Sequence, residues 1–269
     1  MCIRDSCNVI CDTCEGTTDV HVYYELDFLT YLDEGSSISN CINFITMTHA
    51  VINHIYGNID QVENNNHMGH PPLSSDVNML FSGLHIWDHP DPYPIDIFAR
   101  LAEFQNIRPT FNGDVAHLIS KGTVNAGGIS SIETNNTSAS LCDSIPPSGV
   151  TPHSLSFLTA RDIIFANTFS FGTALIAHEI GHTLGGRHPS QCLWYDNNNF
   201  AIQRDSSTCD ERTFPIDLCI HPCTINTDYD PTIMSRCWFT NSGPNTIDYN
   251  NPFHREIALN ILDLSLIHI

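Results

Sequence analysis

The sequence predicts a mixed α and β domain, and three observations lead there. Segments of strand character alternate with segments of helical period from Val20 to Leu184. The chain has 269 residues, 41% of them hydrophobic; that is one large domain or two modest ones, and a single domain of this size buries a core without needing disulfides. From Gln191 to Asp230, by contrast, Asn, Asp and Thr crowd around Cys192, Cys209, Cys219 and Cys223, the composition of a disulfide-pinned loop region. The expected architecture is a sheet with its helices, followed by a loop-rich part. No internal repeat and no clear linker divides the chain further.

Taken in order, Val20 to Asp27 (VHVYYELD) is rich in β-branched and aromatic residues and reads as a strand. Ile38 to Tyr56 reads as a helix, because Ile38, Ile42, Ile45, Ile52 and Ile55 recur mostly at helical intervals and Gly57-Asn58 supplies a stop. Asn64 to Ser75 is a polar loop carrying His67 and His70. Val77 to Trp87 returns to strand character, and Pro94 to Phe104 reads as an amphipathic helix with proline in its first turn. Asp114 to Ile119 and Gly128 to Ile132 are short strand candidates, and Asn135 to Gly149 is loop-like. Phe171 to Leu184 turns helical until Gly185-Gly186, and Phe253 to Leu262 closes with a helix.

Ten Lys and Arg against 30 Asp and Glu give a net charge of −20, with Lys121 the sole lysine. Nucleic acid or an anionic membrane would need a basic face to displace counterions, so the charge argues against both partners. No apolar run approaches the roughly 18–20 residues of a membrane span. Eleven cysteines point to an oxidising compartment or to metal.

The hexapeptides Met1-Cys2-Ile3-Arg4-Asp5-Ser6 and Leu264-Ser265-Leu266-Ile267-His268-Ile269 look unrelated. They are opposite-strand readings of one DNA string: ATG TGT ATA AGA GAC AG has the reverse complement CTG TCT CTT ATA CAC AT. Such a pair resembles a sequencing-library tag read through as coding. Residues 1–6 and 264–269 are then expected to be non-native, and 7–263 a fragment open at both ends. Setting Cys2 aside leaves an even number of cysteines, compatible with full pairing. Residues 7–19, with Cys7, Cys11 and Cys14, form a polar lead, and residues 20–263 form one domain.

Residues 178–188 read His-Glu-Ile-Gly-His-Thr-Leu-Gly-Gly-Arg-His. On a helix, positions i and i+4 lie one above the other, so His178 and His182 can present imidazoles to one metal ion. Glu179 lies about 100° further round, where it can face a metal-bound water rather than the metal. Gly185 can adopt a left-handed conformation, end the helix and turn the chain, which lets His188 return as a third ligand. Three nitrogens leave the fourth position of zinc open, the pattern of a catalytic site. Chance placement yields this extended pattern in roughly one in ten thousand chains of such composition.

The motif is the metzincin signature, and Thr232-Ile233-Met234-Ser235-Arg236-Cys237 resembles the Met-turn that places a methionine, here Met234, beneath the zinc ligands. Within the metzincins the chain resembles the reprolysin (adamalysin-like) family over nearly all of residues 20–262. Gly83-Leu84-His85-Ile86-Trp87, Asp114-Val115-Ala116-His117-Leu118-Ile119, and Gly127-Gly128-Ile129 with the later Leu141-Cys142 resemble that family's blocks and occur in its order.

The resemblance implies an α+β fold, with a twisted, mainly parallel sheet and helices above a zinc cleft in an upper subdomain, 20–188, and a loop-rich lower subdomain, 189–263. It implies one catalytic Zn2+ held by His178, His182 and His188, with Glu179 as the base that activates the water and then hands its proton to the leaving amine. An extended polypeptide substrate would align along Gly128, Ile129 and Ser130 by β-augmentation. The product of this reading is a secreted, extracellular zinc endopeptidase, acting as a monomer.

Some features depart from the family. Pro189 follows the third histidine where reprolysins usually have Asp and serralysins proline, whereas Arg236 stands where serralysins place tyrosine; a serralysin-like protease is the nearest alternative. Some reprolysins bind calcium through an Asp matching Asp114 and a Glu in the first strand. The matching first-strand position here is His21, so Ca2+ is not assigned. Two rivals of other classes are a metzincin-fold binding module without catalysis and a zinc hydrolase of non-peptide substrates.

The other histidines and acids read as solvated loop: His67, His70, His85 and His89 as no second metal site, and Asp88, Asp91 and Asp96 as a proline-rich turn. Cys7, Cys11 and Cys14 stand where reprolysin-like zymogens carry a pro-segment; they read as ordinary disulfides, with a zinc-blocking thiolate as the alternative. Asn135-Asn136-Thr137-Ser138 holds overlapping glycosylation sequons.

Overall fold

Along the first strand, Val20, Val22, Tyr24 and Leu26 are all buried on one side, the period-two pattern of a strand packed against helices. The computed structural model describes residues 16–57, 75–123, 127–131, 151–159, 171–184, 186, 193–195, 201–203 and 233–234. The elements are β1 (Gly16–Leu26), α1 (Phe28–Asp33), α2 (Ile38–Tyr56), β2 (Ser75–Ile86), α3 (Ile97–Ile107), β3 (Val115–Thr123), β4 (Gly127–Ser130), β5 (His153–Thr159), α4 (Phe171–Thr183), β6 (Leu193–Tyr195) and β7 (Ala201–Gln203).

Five strands form one sheet in the order β2-β1-β3-β5-β4. The first four run parallel, and β4 is antiparallel to β5, with Gly128 opposite Ser156 and Ser130 opposite Ser154. Parallel neighbours need crossovers, which α2 supplies between β1 and β2 and α3 between β2 and β3. The sheet is buried on both faces. On one side Val22, Tyr24, Val115 and Ile119 pack with residues of α2 and α4; on the other Ala116, Leu118 and Leu155 pack with Leu101 and Phe104 of α3. The domain is therefore mixed α and β with a mainly parallel sheet, as expected.

Several elements differ from expectation. The buried face of α2 runs through Cys41, Ile45, Thr48, Ile52 and Ile55, while Ile38 and Ile42 are 41% and 45% exposed. The apolar stripe is thus rotated by one residue, because Cys41 and Thr48 count as core and two isoleucines do not. Cys41 is a free thiol whose pKa burial pushes up to about 11, so the full pairing that an even cysteine count allowed does not hold at this position. The remaining cysteines lie outside the described residues.

The third helix starts three residues after Pro94. Asp96 is its N-cap, accepting from the amides of Phe98 and Ala99, and the Pro94 carbonyl instead receives Arg100 Nε at 2.6 Å. The short α1 is unforeseen; Asp27 caps it from the end of β1 and also holds Arg100 at 2.6 Å in a buried pair. The interior strand β5 is unforeseen too, since Ser154 and Ser156 break the continuous apolar run expected of a strand covered on both faces, although both are buried. Within the region read as loop, β6 and β7 pair as two short antiparallel strands. The closing helix at 253–262 and the polar loop at 64–74 lie outside the described residues.

The third strand also buries a histidine. His117 is wholly enclosed; its Nδ1 lies 2.8 Å from Ser154 Oγ, and burial holds its pKa down at about 3. Burial lowers His153 and His49 as well. A depressed histidine pKa means that the unfolded chain takes up protons that the folded chain refuses. Stability is therefore complete above the ordinary value near 6.5 and falls as pH drops toward 3, by about 1.4 kcal/mol per pH unit for one such group. Urea unfolding at pH 7, 6 and 5 is expected to show this decline, and His117→Asn to flatten it. An unchanged slope in the variant would remove His117 as its source.

Candidate active site

Every residue of α4 from Gly172 to Thr183 is buried, so the helix runs through the core rather than along its surface. One turn apart on it, the rings of His178 and His182 meet at 4.5 Å and nearly at right angles. Each ring is held from behind by a backbone carbonyl: His178 Nδ1 donates to Ile233 at 2.6 Å and His182 Nδ1 to Gly186 at 2.7 Å. Carbonyls only accept, so both rings carry a proton on Nδ1, and in the neutral imidazoles both Nε2 atoms are lone-pair donors. These two atoms face each other at 3.0 Å. Two opposed lone pairs at that distance are a repulsive arrangement that a cation relieves, and imidazole nitrogen suits zinc.

The carbonyl at Gly186 is in place because the chain doubles back after α4. The Gly186 amide donates to the Gly181 carbonyl at 2.7 Å, the six-to-one bond of a Schellman-type helix end. The predicted turn residue, Gly185, lies outside the described residues, as do His188, Pro189 and Arg236. Among the described residues no three ligand-type side chains gather.

Glu179 is 3% exposed and faces β4. A Cβ on Gly128 would lie 2.3 Å from Glu179 Cγ and Oε1, so the bare backbone of the edge strand makes room for this carboxylate. Ile129 turns the other way, into the α3-side core, and Ser130 turns back toward α4, 3.3 Å from Thr183 Oγ1.

Beneath the helix, Gly181 opens a second gap. A Cβ there would lie 2.6 Å from Met234 Sδ and 3.1 Å from the Tyr56 hydroxyl, which itself donates to the Ala177 carbonyl at 2.7 Å. Met234 and Ile233 thus reach the ligand helix together, one by side chain and one by carbonyl. Tyr56, Gly181, Thr183 and Gly186 escaped the sequence reading. Only Gly181 left a trace there, since a glycine in a helix interior costs about 1 kcal/mol and calls for a packing reason.

A family model described as "Metallo-peptidase family M12" (Reprolysin_5) matches residues 28–241. The chain belongs to the M12 metallopeptidase family. The matched family is one of metallopeptidases. The match takes in β4, α4 and residues 233–234, every element that meets at the paired histidines. A solved structure described as "Structure of a chaperone-substrate complex" is similar over 91% of this chain and 36% of its own, at 13% identity and a TM-score of 0.40. The M12 chain thus spans about a third of that protein's length, and so loose a likeness bears on neither fold nor function.

Among the described residues the remaining candidate acids have local partners. Asp91 accepts from the amides of Phe28 and Tyr93, Asp96 caps α3, and Asp88 pairs with His89 at an exposed position. Asp114 accepts from the His21 amide at 2.8 Å and faces the His21 ring at 3.1 Å. Among the described residues no helix is long and apolar enough to cross a membrane.

Proposed function

We propose that this M12 metallopeptidase is a secreted, reprolysin-like zinc endopeptidase. The observation that carries the reading is the pair of Nε2 atoms facing each other at 3.0 Å, each on a ring whose other nitrogen is tied to a backbone carbonyl. Such outer contacts fix the tautomer and aim of a ligand before metal arrives. His178, His182 and His188 would hold the ion, with Met234 packed below them. Zinc supplies Lewis acidity there, acidifying water and polarising a peptide carbonyl.

The chain's own residues do the rest. Glu179 takes the proton from the attacking water and delivers it to the departing amine, one carboxylate serving as base and then as acid. The strand Gly128–Ser130, last in the sheet among the described residues, takes up an extended substrate on the side away from β5 as an added strand. Only an unfolded stretch of polypeptide can do this, so the substrate is a flexible segment of an extracellular protein, met by a monomeric enzyme.

Metal analysis and cleavage of unfolded casein test the reading together. One zinc per chain is expected, with cleavage lost on chelation and regained when zinc is returned. Equal cleavage by the metal-free chain would sink it.

A further inference from the structure

Two hydroxyls connect the edge strand to the helix that bears the base. Thr183, wholly buried on the last turn of α4, donates to the Glu179 carbonyl at 3.0 Å. Its single hydroxyl proton is committed there, so in the 3.3 Å contact between Ser130 and Thr183 the donor is Ser130. The hydrogen bonds therefore run in one direction, from Ser130 on β4 through Thr183 to the backbone of Glu179. Gly128, two residues earlier on the same face of the strand, lies against the Glu179 carboxylate. Thus β4 meets the Glu179 side chain directly and its carbonyl only by way of Thr183.

A helical threonine bonded to the carbonyl four residues before it is ordinary. Here a second hydroxyl, from another element, also meets that threonine. We infer that Thr183 and Ser130 are positioning residues that transmit substrate pairing on β4 to the placement of Glu179; this rests on the endopeptidase reading above. A polypeptide added alongside β4, on the side away from β5, would hold that strand, and the strand holds the base. The 3.3 Å link is long for an O–H···O bond, and on this inference it shortens when substrate pairs with β4. The contribution therefore belongs to the turnover step rather than to substrate affinity.

Thr183→Val keeps the branched shape and deletes the relay. On the zinc-loaded chain, with a quenched-fluorescence peptide taken from a casein cleavage site, kcat is expected to fall about tenfold at unchanged KM. Ser130→Ala should act in the same direction, and Thr183→Ser should recover most of the rate. A Thr183→Val enzyme within about twofold of the parent kcat, or a Thr183→Ser enzyme as slow as Thr183→Val, overturns the inference. Amide hydrogen exchange reads the link without turnover: Thr183→Val should speed exchange in β4 and in Glu179–Thr183 together, and a change in only one of them, or in neither, also overturns it. If the parent chain cuts no peptide, the endopeptidase reading falls alone and the exchange data still decide the link.

Discussion

Glu179→Gln is expected to lower cleavage of unfolded casein by about 10²–10⁴-fold while the zinc content stays at that of the parent chain. Glutamine keeps the length of the side chain and its fit against Gly128, so the change removes proton transfer and little else. The ligand rings are held by the carbonyls of Ile233 and Gly186, neither of which depends on the carboxylate. Retained zinc with lost turnover is thus the signature of a base. Loss of zinc would instead make Glu179 a structural partner of the histidines, and full activity would remove it from the reaction.

Gly128→Ala should be nearly as damaging, for a steric reason. The new methyl group would sit 2.3 Å from Glu179 Cγ and Oε1, well inside contact distance. Glutamate is a flexible side chain and can swing aside, so stability should change by no more than about 1 kcal/mol. The carboxylate cannot swing aside and keep its place. A displacement of that order in a catalytic group costs about 10²-fold in rate, and kcat is where the loss should appear. Gly127→Ala is the comparison, since a Cβ at Gly127 meets nothing within 4 Å. Equal rates for the two variants would mean that Glu179 does not work from where it rests against β4.

The reach of the sequence differs from element to element. His178, Glu179 and His182 are legible because a helix converts their spacing into geometry, and α4 obliges. The bounds of α2 are legible for the same reason, yet its buried face is not, because periodicity cannot say whether Cys41 or Ile42 turns inward. The fifth strand hides behind its serines: alternation marks strands with one wet face, and β5 is covered on both. The carbonyl of Ile233 is invisible in principle, since every residue has one and only the fold selects which one meets His178. Thr183 and Ser130 share that obscurity, being common residues whose meaning lies in whom they touch.

The hydrogen bond from His178 to Ile233 joins residues 55 positions apart. Its consequence lies in the order of maturation. While the chain is being made, both helix histidines exist well before the segment at 233–234, and until that segment docks nothing fixes which nitrogen of His178 is bare. On the proposed zinc reading, competence to take up metal would be a late event, a proofreading of tertiary closure rather than a property of the helix. A chain ending shortly before Ile233 would display the whole motif and still bind zinc weakly, because a long loop must close before the ring is aimed.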